Sequence, residues 1–301
     1  MACLRGTLLI GASVFLGACA GSQTSPPPTQ ARPLTLQVAE LQMHLRNDTY
    51  RSVAHIGPDG ENVFEQALFA FERMQTARNL DYDNWGDEDI VIEYARARAL
   101  EKLRRYPEAV AAYARVAQKG SLLANEALEA RDVMRRFALE GAPAERPSSS
   151  PEEDLARIEA RIAAWDELIE TYGSSSFGPL AREEAEAWEI LRVELYGRFK
   201  SADEAVAACN RLIERNRDSK LYPEHLIRLG DLHAENARRE SLVLRTQQRT
   251  FDAQRYDRSI GAALAAYELA AEARRDGVRR QAQTRISTLL ADHEGVRAHV
   301  R

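Results

Sequence analysis

Residues 92–120 constrain the fold more than any other part of this chain of 301 residues. Apolar residues recur there at the three- and four-residue spacings of a helix face. The first stripe is Ile92, Ala95, Ala99, Leu100 and Leu103, and the second is Ala109, Ala112, Tyr113, Val116 and Ala117. Pro107 separates the stripes, and proline is favoured in the first turn of a new helix, while Gly120 ends the second stripe as glycine commonly does. The segment therefore predicts two short helices folded back on each other.

The turn and the second stripe carry a family pattern. The run Tyr106-Pro-Glu-Ala109, followed by Tyr113, resembles the tetratricopeptide repeat (TPR), a helix–turn–helix unit of about 34 residues. Ala109 matches the small residue of the family's second helix, and Tyr113 matches the aromatic residue four positions later. The copy is degenerate, because Arg104 stands where the family has glycine and no closing proline follows near Ser121. The resemblance implies an all-α fold of antiparallel helical hairpins, stacked as a TPR-like α-solenoid.

Weaker copies of this pattern recur in the second half of the chain. The cores around Ala205 and Ala263 match it, with Cys209 and Tyr267 in the aromatic position. Their spacings are not multiples of the repeat length, so insertions or looser repeats must lie between them. The specific match therefore covers about half of the chain.

Two joints between predicted helices extend the resemblance. The run from Tyr172 to Pro179, and a second run that leads to Pro223, are similar to the joints of periplasmic TPR lipoproteins. Leu229 and Gly230 copy the close-packing pair of the family's first helix. The resemblance implies that each of these prolines opens a new helix.

The N-terminal segment has the pattern of a bacterial export signal. After Arg5, the apolar run 7–15 is too short to span a bilayer. It leads into Leu16-Gly-Ala-Cys19, which resembles the lipobox of bacterial lipoproteins, where cleavage precedes the cysteine and diacylglycerol is attached to its sulfur. We therefore predict lipid attachment at Cys19. By resemblance to enterobacterial sorting, Ala20 in the next position favours the periplasmic side of the outer membrane.

Two alternatives to this lipid anchor stay open. One is an ordinary secretory signal cut after Ala18 or Ala20, and the other is a buried apolar helix, which the Gly and Ser residues of the run disfavour.

Composition and turn signals divide the rest of the chain into two helical halves. Ser150, Pro151 and Glu153 have the pattern of a capping box and open the second half. The predicted parts are a signal peptide at 1–18, a disordered tether at 19–33, N-terminal helical repeats at 34–140, a linker at 141–150, C-terminal TPR-like repeats at 151–294 and a loose tail at 295–301.

The charge balance limits the classes of partner. A net charge of −5 and a pI of about 5.8 argue against a nucleic-acid-binding protein, which needs a basic face. The last third is nevertheless locally basic, with Arg238, Arg239, Arg245, Arg249, Arg255, Arg258, Arg274, Arg275, Arg279 and Arg280. We interpret it as a solvated helix surface; the functional alternative is a site for an acidic partner helix, a lipid headgroup or a glycan phosphate.

The stretch 81–92 contains a partial calcium-loop pattern. Asp81, Asp83 and Gly86 fit positions 1, 3 and 6 of such a loop. Trp85 and Ile92, however, stand where two further ligands belong. The acidic residues that follow Gly86 are instead typical of a helix N-terminus, where the helix dipole favours negative charge. We predict the helix start and no metal.

The remaining candidates for chemistry are isolated. His225 and His233 lie eight positions apart and have no further ligands nearby in the sequence, so we interpret them as packed or surface histidines. Cys209 is the one cysteine outside the export segment, so it has no partner for an internal disulfide, and we interpret it as a small buried apolar residue. No hydrolase elbow, zinc-protease or phosphate-loop motif occurs. The sequence therefore predicts no enzyme, no catalytic residue and no cofactor.

These features together predict a lipid-anchored periplasmic scaffold that binds protein partners in an outer-membrane or envelope-assembly complex. Stacked hairpins leave a groove suited to protein segments, although the sequence does not identify the groove residues. The alternative is a structural accessory lipoprotein of a secretion, motility or polysaccharide-export machine. A cell-wall hydrolase is a third, less favoured hypothesis.

Replacing Cys19 tests the anchor. We expect Cys19→Ala to move the protein from the membrane fraction to the soluble periplasmic fraction and to abolish labelling by radioactive palmitate, because the acylated sulfur is lost. Cys3→Ala is the matched control and should change neither readout. Unchanged membrane retention of Cys19→Ala would overturn the lipid assignment.

Overall fold

The computed structural model describes residues 62–77, 85–141, 150–246 and 251–300. Regular secondary structure in these ranges is entirely α-helical, in ten helices. They are α1 (Val63–Ala77), α2 (Asp87–Lys102), α3 (Tyr106–Gln118), α4 (Ala124–Glu140), α5 (Pro151–Tyr172), α6 (Gly178–Phe199), α7 (Ala202–Arg215), α8 (Tyr222–Thr246), α9 (Ala253–Ala271) and α10 (Asp276–Val300). The predicted export signal, tether and Cys19 lie outside the described residues.

The helices pack mainly against their neighbours in the sequence. Each of α1 to α9 contacts the next helix in the sequence, and α8 also contacts α10. This arrangement confirms the prediction of an all-α helical-repeat solenoid. Among the described helices, none is both long enough and apolar enough to cross a membrane.

The hairpin predicted over residues 92–120 forms as α2 and α3. Both predicted stripes face each other, and Leu100, Tyr113 and Val116 are fully buried between the helices. Gly120 follows α3 with a φ of +62°, the left-handed conformation expected of a glycine after a helix. Arg104, after α2, also has a positive φ of +59°. The turn between α2 and α3 therefore has a left-handed backbone conformation at an arginine.

The start of the second half follows its prediction. Ser150 precedes α5, and its hydroxyl accepts a hydrogen bond from the backbone N–H of Glu153 at 3.5 Å. The hydrophobic core is nevertheless continuous across the predicted linker, from Phe64 to Trp188. Ring contacts bridge α4 and α5 there: Phe137 lies 4.9 Å from Trp165 and 5.7 Å from Tyr106 between centroids. The two helical halves therefore share apolar contacts at their junction.

The last third differs in part from the sequence prediction. The stretch from His233 to Ile260, which contains no glycine or proline, is divided between α8 and α9. Asp252 caps α9 by accepting from the backbone N–H of Arg255 at 2.9 Å. The predicted loose tail from residue 295 is instead helical as far as Val300. Val296, within that tail, packs against the same core as the rest of α10, which explains why the helix continues.

The aromatic position of the repeat pattern is buried in all three copies. Tyr113, Cys209 and Tyr267 are at most 1% exposed. Gly230 of α8 lies against the ring of Tyr267, where an added Cβ would be 2.4 Å from a ring carbon. Gly230 therefore has the close-packing role that was predicted for the Leu229-Gly230 pair.

This contact gives a paired test of the helical stack. We expect Gly230→Ala to lower the free energy of unfolding by about 1–3 kcal/mol, because the added methyl group overpacks the α8–α9 interface. Gly261→Ala, in α9, is the control: no atom lies within 4 Å of its added Cβ, so we expect a gain of about 0.5–1 kcal/mol. Urea unfolding followed by circular dichroism measures both. Equal effects of the two substitutions would contradict the packing described.

Candidate functional site

Helix α6 carries a buried group of carboxylates. Glu183, Glu184, Glu186 and Glu189 are each at most 7% exposed. They are enclosed because α6 packs between α5 and α7, and the α2–α3 turn and α8 also reach it. From the sequence, apolar spacing predicts Leu191 in the core of α6, and acidic residues interleaved with arginine predict exposed helix faces. The structure corrects both points, since Leu191 is 42% exposed and the glutamates are inside.

Three of these glutamates have hydrogen-bond donors from other elements. Glu184 accepts from the Tyr106 hydroxyl at 2.5 Å, and Arg104 Nε lies 3.2 Å from it. Glu189 accepts from Asn216 Nδ2 at 2.7 Å and from Arg215 Nη1 at 3.2 Å. The third, Glu186, is paired with a histidine described below. These contacts offset the desolvation of the charged groups, which buried carboxylates require.

Glu183 is the exception. One of its oxygens lies 3.8 Å from Arg104 Nη2, but the other, Oε1, is buried and has no hydrogen-bond partner. Burial raises the pKa of Glu183 to about 7, while the positive charges of Arg104, Lys102 and Lys220 oppose that rise. This carboxyl group therefore changes charge near neutral pH.

A cavity of about 420 Å³ lies beside this residue, between the start of α6 and the α7–α8 turn. Buried Glu183 and Glu186 line it together with more exposed polar residues. The other lining residues are Pro179, Arg182, Arg215, Asn216, Asp218, Ser219 and Lys220. We take this cavity as the candidate binding site, because enclosed polar groups meet solvent-accessible space there.

His225 holds Glu186 in place. Its Nε2 lies 2.6 Å from Glu186 Oε1, and its Nδ1 lies 3.5 Å from Arg228 Nη1. Because a carboxylate only accepts, Nε2 carries the proton that is donated to Glu186. His225 is thus a fully buried packed histidine.

The second histidine, His233, lies elsewhere on α8 and is not part of the His225–Glu186 pair. His233 is half-buried, and burial lowers its pKa. Within the described ranges, no group of three His, Cys, Asp or Glu residues could hold a metal ion.

Cys209 has the environment of an unreactive thiol. Its side chain is fully buried in a small apolar cluster with Val193, Ala208 and Leu212. Burial raises the pKa of the thiol to about 12, so almost none of it is thiolate at neutral pH. This environment supports the interpretation of Cys209 as a buried apolar residue.

The partial calcium-loop pattern forms a helix start where it is described. Asp87, Glu88 and Asp89 occupy the first turn of α2, and Asp89 accepts from the backbone N–H of Gly86 at 2.9 Å. This confirms the predicted helix N-terminus. Asp81 and Asp83 lie outside the described residues.

The arginine-rich surface of the last third is largely ion-paired. Arg238 and Arg239 contact Glu235, and Arg255 lies 3.6 Å from Asp203 and 3.5 Å from Glu240. Arg275 and Arg279 pair with Glu224 and Asp276. The Arg245 side chain and Arg249 lie outside the described residues. These pairs support the interpretation as a solvated surface.

Comparisons with known proteins assign no family. No family model matches the chain, and no curated protein matches it.

The buried carboxylates of α6 were not predicted, although the sequence contains one signal that some of them would be enclosed. Successive helix residues are about 100° apart, so the glutamates at 183, 184, 186 and 189 point in widely different directions. A helix with neighbours on two sides must therefore enclose some of them. The identity of the partners could not be predicted, because they come from α3, α7, α8 and the α2–α3 turn.

The His225–Glu186 pair gives a stability test. We expect His225→Leu to lower the free energy of unfolding by about 3–5 kcal/mol at pH 7.5, because Glu186 would stay buried without its donor. Adding Glu186→Leu should recover part of this loss, since a buried pair can be replaced by apolar groups. His233→Leu is the control and should cost less than about 1 kcal/mol. Urea unfolding that shows equal losses for the two histidines would contradict the role assigned to His225.

Proposed function

We propose that this chain is a helical-repeat scaffold that holds a protein partner and performs no reaction itself. The observation that carries the proposal is the stacking of α1 to α10 on their sequence neighbours, an arrangement that buries a seam and leaves extended faces for binding. The buried carboxylates of α6 act mainly as structural acceptors in this proposal.

The cavity beside α6 is the proposed place of contact. Arg182, Asp218 and Lys220 are exposed at its edge, while Glu183 is buried within it. Mixed charges around a concave site suit a polar protein segment, because they fix its orientation through hydrogen bonds. Nucleic acid is not the proposed partner, since the chain carries a net charge of −5.

The proposed location is the periplasmic side of the outer membrane, through lipid on Cys19. Support comes from the export-signal pattern and from the resemblance of residues 16–19 to a lipobox. The resemblance of the repeats to periplasmic TPR lipoproteins supports an envelope-assembly complex, and an accessory lipoprotein of a secretion, motility or polysaccharide-export machine is the alternative. A single stoichiometric partner after detergent extraction would favour the accessory role, and several weak partners would favour a recruiting groove.

One observation favours the hydrolase hypothesis as a second candidate. A carboxyl group with a pKa of about 7 beside a cavity, as at Glu183, is what general acid catalysis needs at neutral pH. Against it, Oε1 of Glu183 is enclosed and Glu186 is committed to His225. Release of cell-wall fragments that stops in Glu183→Gln would establish the hydrolase.

Site-specific crosslinking tests the scaffold. A photo-reactive amino acid at Asp218, on the edge of the cavity, should give discrete protein adducts in intact cells. Reversing the charges with Arg182→Glu and Lys220→Glu should reduce these adducts several-fold, because the segment loses its polar contacts. Glu268, exposed on α9, is the control position. Asp218 adducts no more abundant than those at Glu268 would overturn the proposed contact site.

A further inference from the structure

Three carboxylates lie close together on the enclosed side of the α6 cavity. Glu183, Glu184 and Glu186 lie together, and Arg104 is the one guanidinium placed against the first two. The third carboxylate, Glu186, pairs with His225 at 2.6 Å. Among the described residues, carboxylates therefore outnumber guanidinium groups on the enclosed side of the site.

The cations that line the cavity are mostly engaged by other groups. Arg215 contacts Asp166 and Glu189, which together outweigh its single charge. Arg182 donates to the backbone oxygen of Gly173 at 3.3 Å. Lys220 stands at the edge, where Asp218 adds an opposite charge.

Glu183 is the least satisfied member of this group. It is 7% exposed, and its Oε1 accepts no hydrogen bond. A buried acceptor without a donor is costly, and more so when it is charged. A ligand that brings a charged N–H donor would remove this cost once the enclosed carboxylate turns toward the cavity.

We propose that the cavity beside α6 binds a basic side chain, lysine or arginine, of the partner protein, and that this side chain pairs with Glu183. The proposal rests on the scaffold function proposed above and names the chemistry of its partner. Arginine fits best, because its planar fork can meet a carboxylate through two hydrogen bonds. Loss of the Glu183 proton is coupled to binding, since the cation pairs with the carboxylate and not with the neutral acid.

The coupling between proton loss from Glu183 and cation binding determines how the binding affinity changes with pH. The charged groups that act on Glu183 are Arg104 and Lys102 at the α2–α3 turn, Lys220 at the α7–α8 turn and Glu186 on α6. Arg182 and Asp218 line the same cavity, and Glu184 is the next residue of α6. Because Glu183 titrates near pH 7, binding of a cation should be about tenfold weaker at pH 6 than at pH 8.

Calorimetry on the full chain in detergent solution tests this inference. The probe is the peptide acetyl-Gly-Arg-Gly-amide, and the control is the same peptide with citrulline, which has the shape of arginine without its charge. We expect saturable binding of the arginine peptide only, about tenfold weaker at pH 6 than at pH 8. Titrations at pH 7 in two buffers of different ionisation enthalpy should show release of about half a proton per peptide.

Variants separate the possible outcomes. Glu183→Gln should remove both the pH dependence and the proton release, whereas Glu268→Gln, at an exposed position of α9 away from the cavity, should keep both. Equal binding of the citrulline peptide, absence of binding at 20 mM (about 2.3 kcal/mol of binding free energy), or proton release retained in Glu183→Gln would each overturn the inference. If crosslinks at Asp218 still form in that case, the scaffold stands and only the chemistry assigned to its partner is wrong.

Discussion

Stacking helices in a row encloses polar side chains, and these must find partners within the protein. In α2, Glu93 and Glu101 are 1% exposed and accept hydrogen bonds from Arg115 and Tyr113 of α3. The carboxylates of α6 depend in the same way on donors from later helices and from the α2–α3 turn. Each such contact fixes the position of one helix against another, which apolar packing alone specifies less narrowly. The pairing of acids inside the stack therefore determines how the hairpins sit on one another.

Arg104 shows how pairing with a buried acid can stabilise a strained turn. A left-handed backbone costs a non-glycine residue about 1–2 kcal/mol, and Arg104 adopts it with a φ of +59°. Arg104 Nε lies 3.2 Å from a carboxylate oxygen of buried Glu184, and this ion pair opposes the strain. Glycine would relax the turn but would leave Glu184 without this guanidinium. The strained turn is thus stabilised by a contact far along the chain.

The sequence was sufficient to predict the features that depend on neighbouring residues alone. The stripes of α2 and α3, the Ser150 cap and the glycine conformation after α3 all follow from short-range spacing, and each is present. The α6 cluster depends on residues that are distant in the sequence: Tyr106 and Glu184 are 78 positions apart. Periodicity treats charged residues as exposed and predicts Leu191 in the core, whereas the structure exposes Leu191 and buries Glu183. The candidate cavity could not be predicted for the same reason.

The aromatic contacts of Phe137 with Tyr106 and Trp165 have a consequence for cleavage of the peptide chain. These side chains come from α3, α4 and α5, on both sides of the proline- and serine-rich stretch 142–149. Cleaving the peptide chain in that stretch would leave the aromatic contacts and the Tyr106–Glu184 bond untouched. The two fragments would then remain associated as a non-covalent heterodimer, and the protein could be divided there into complementing pieces.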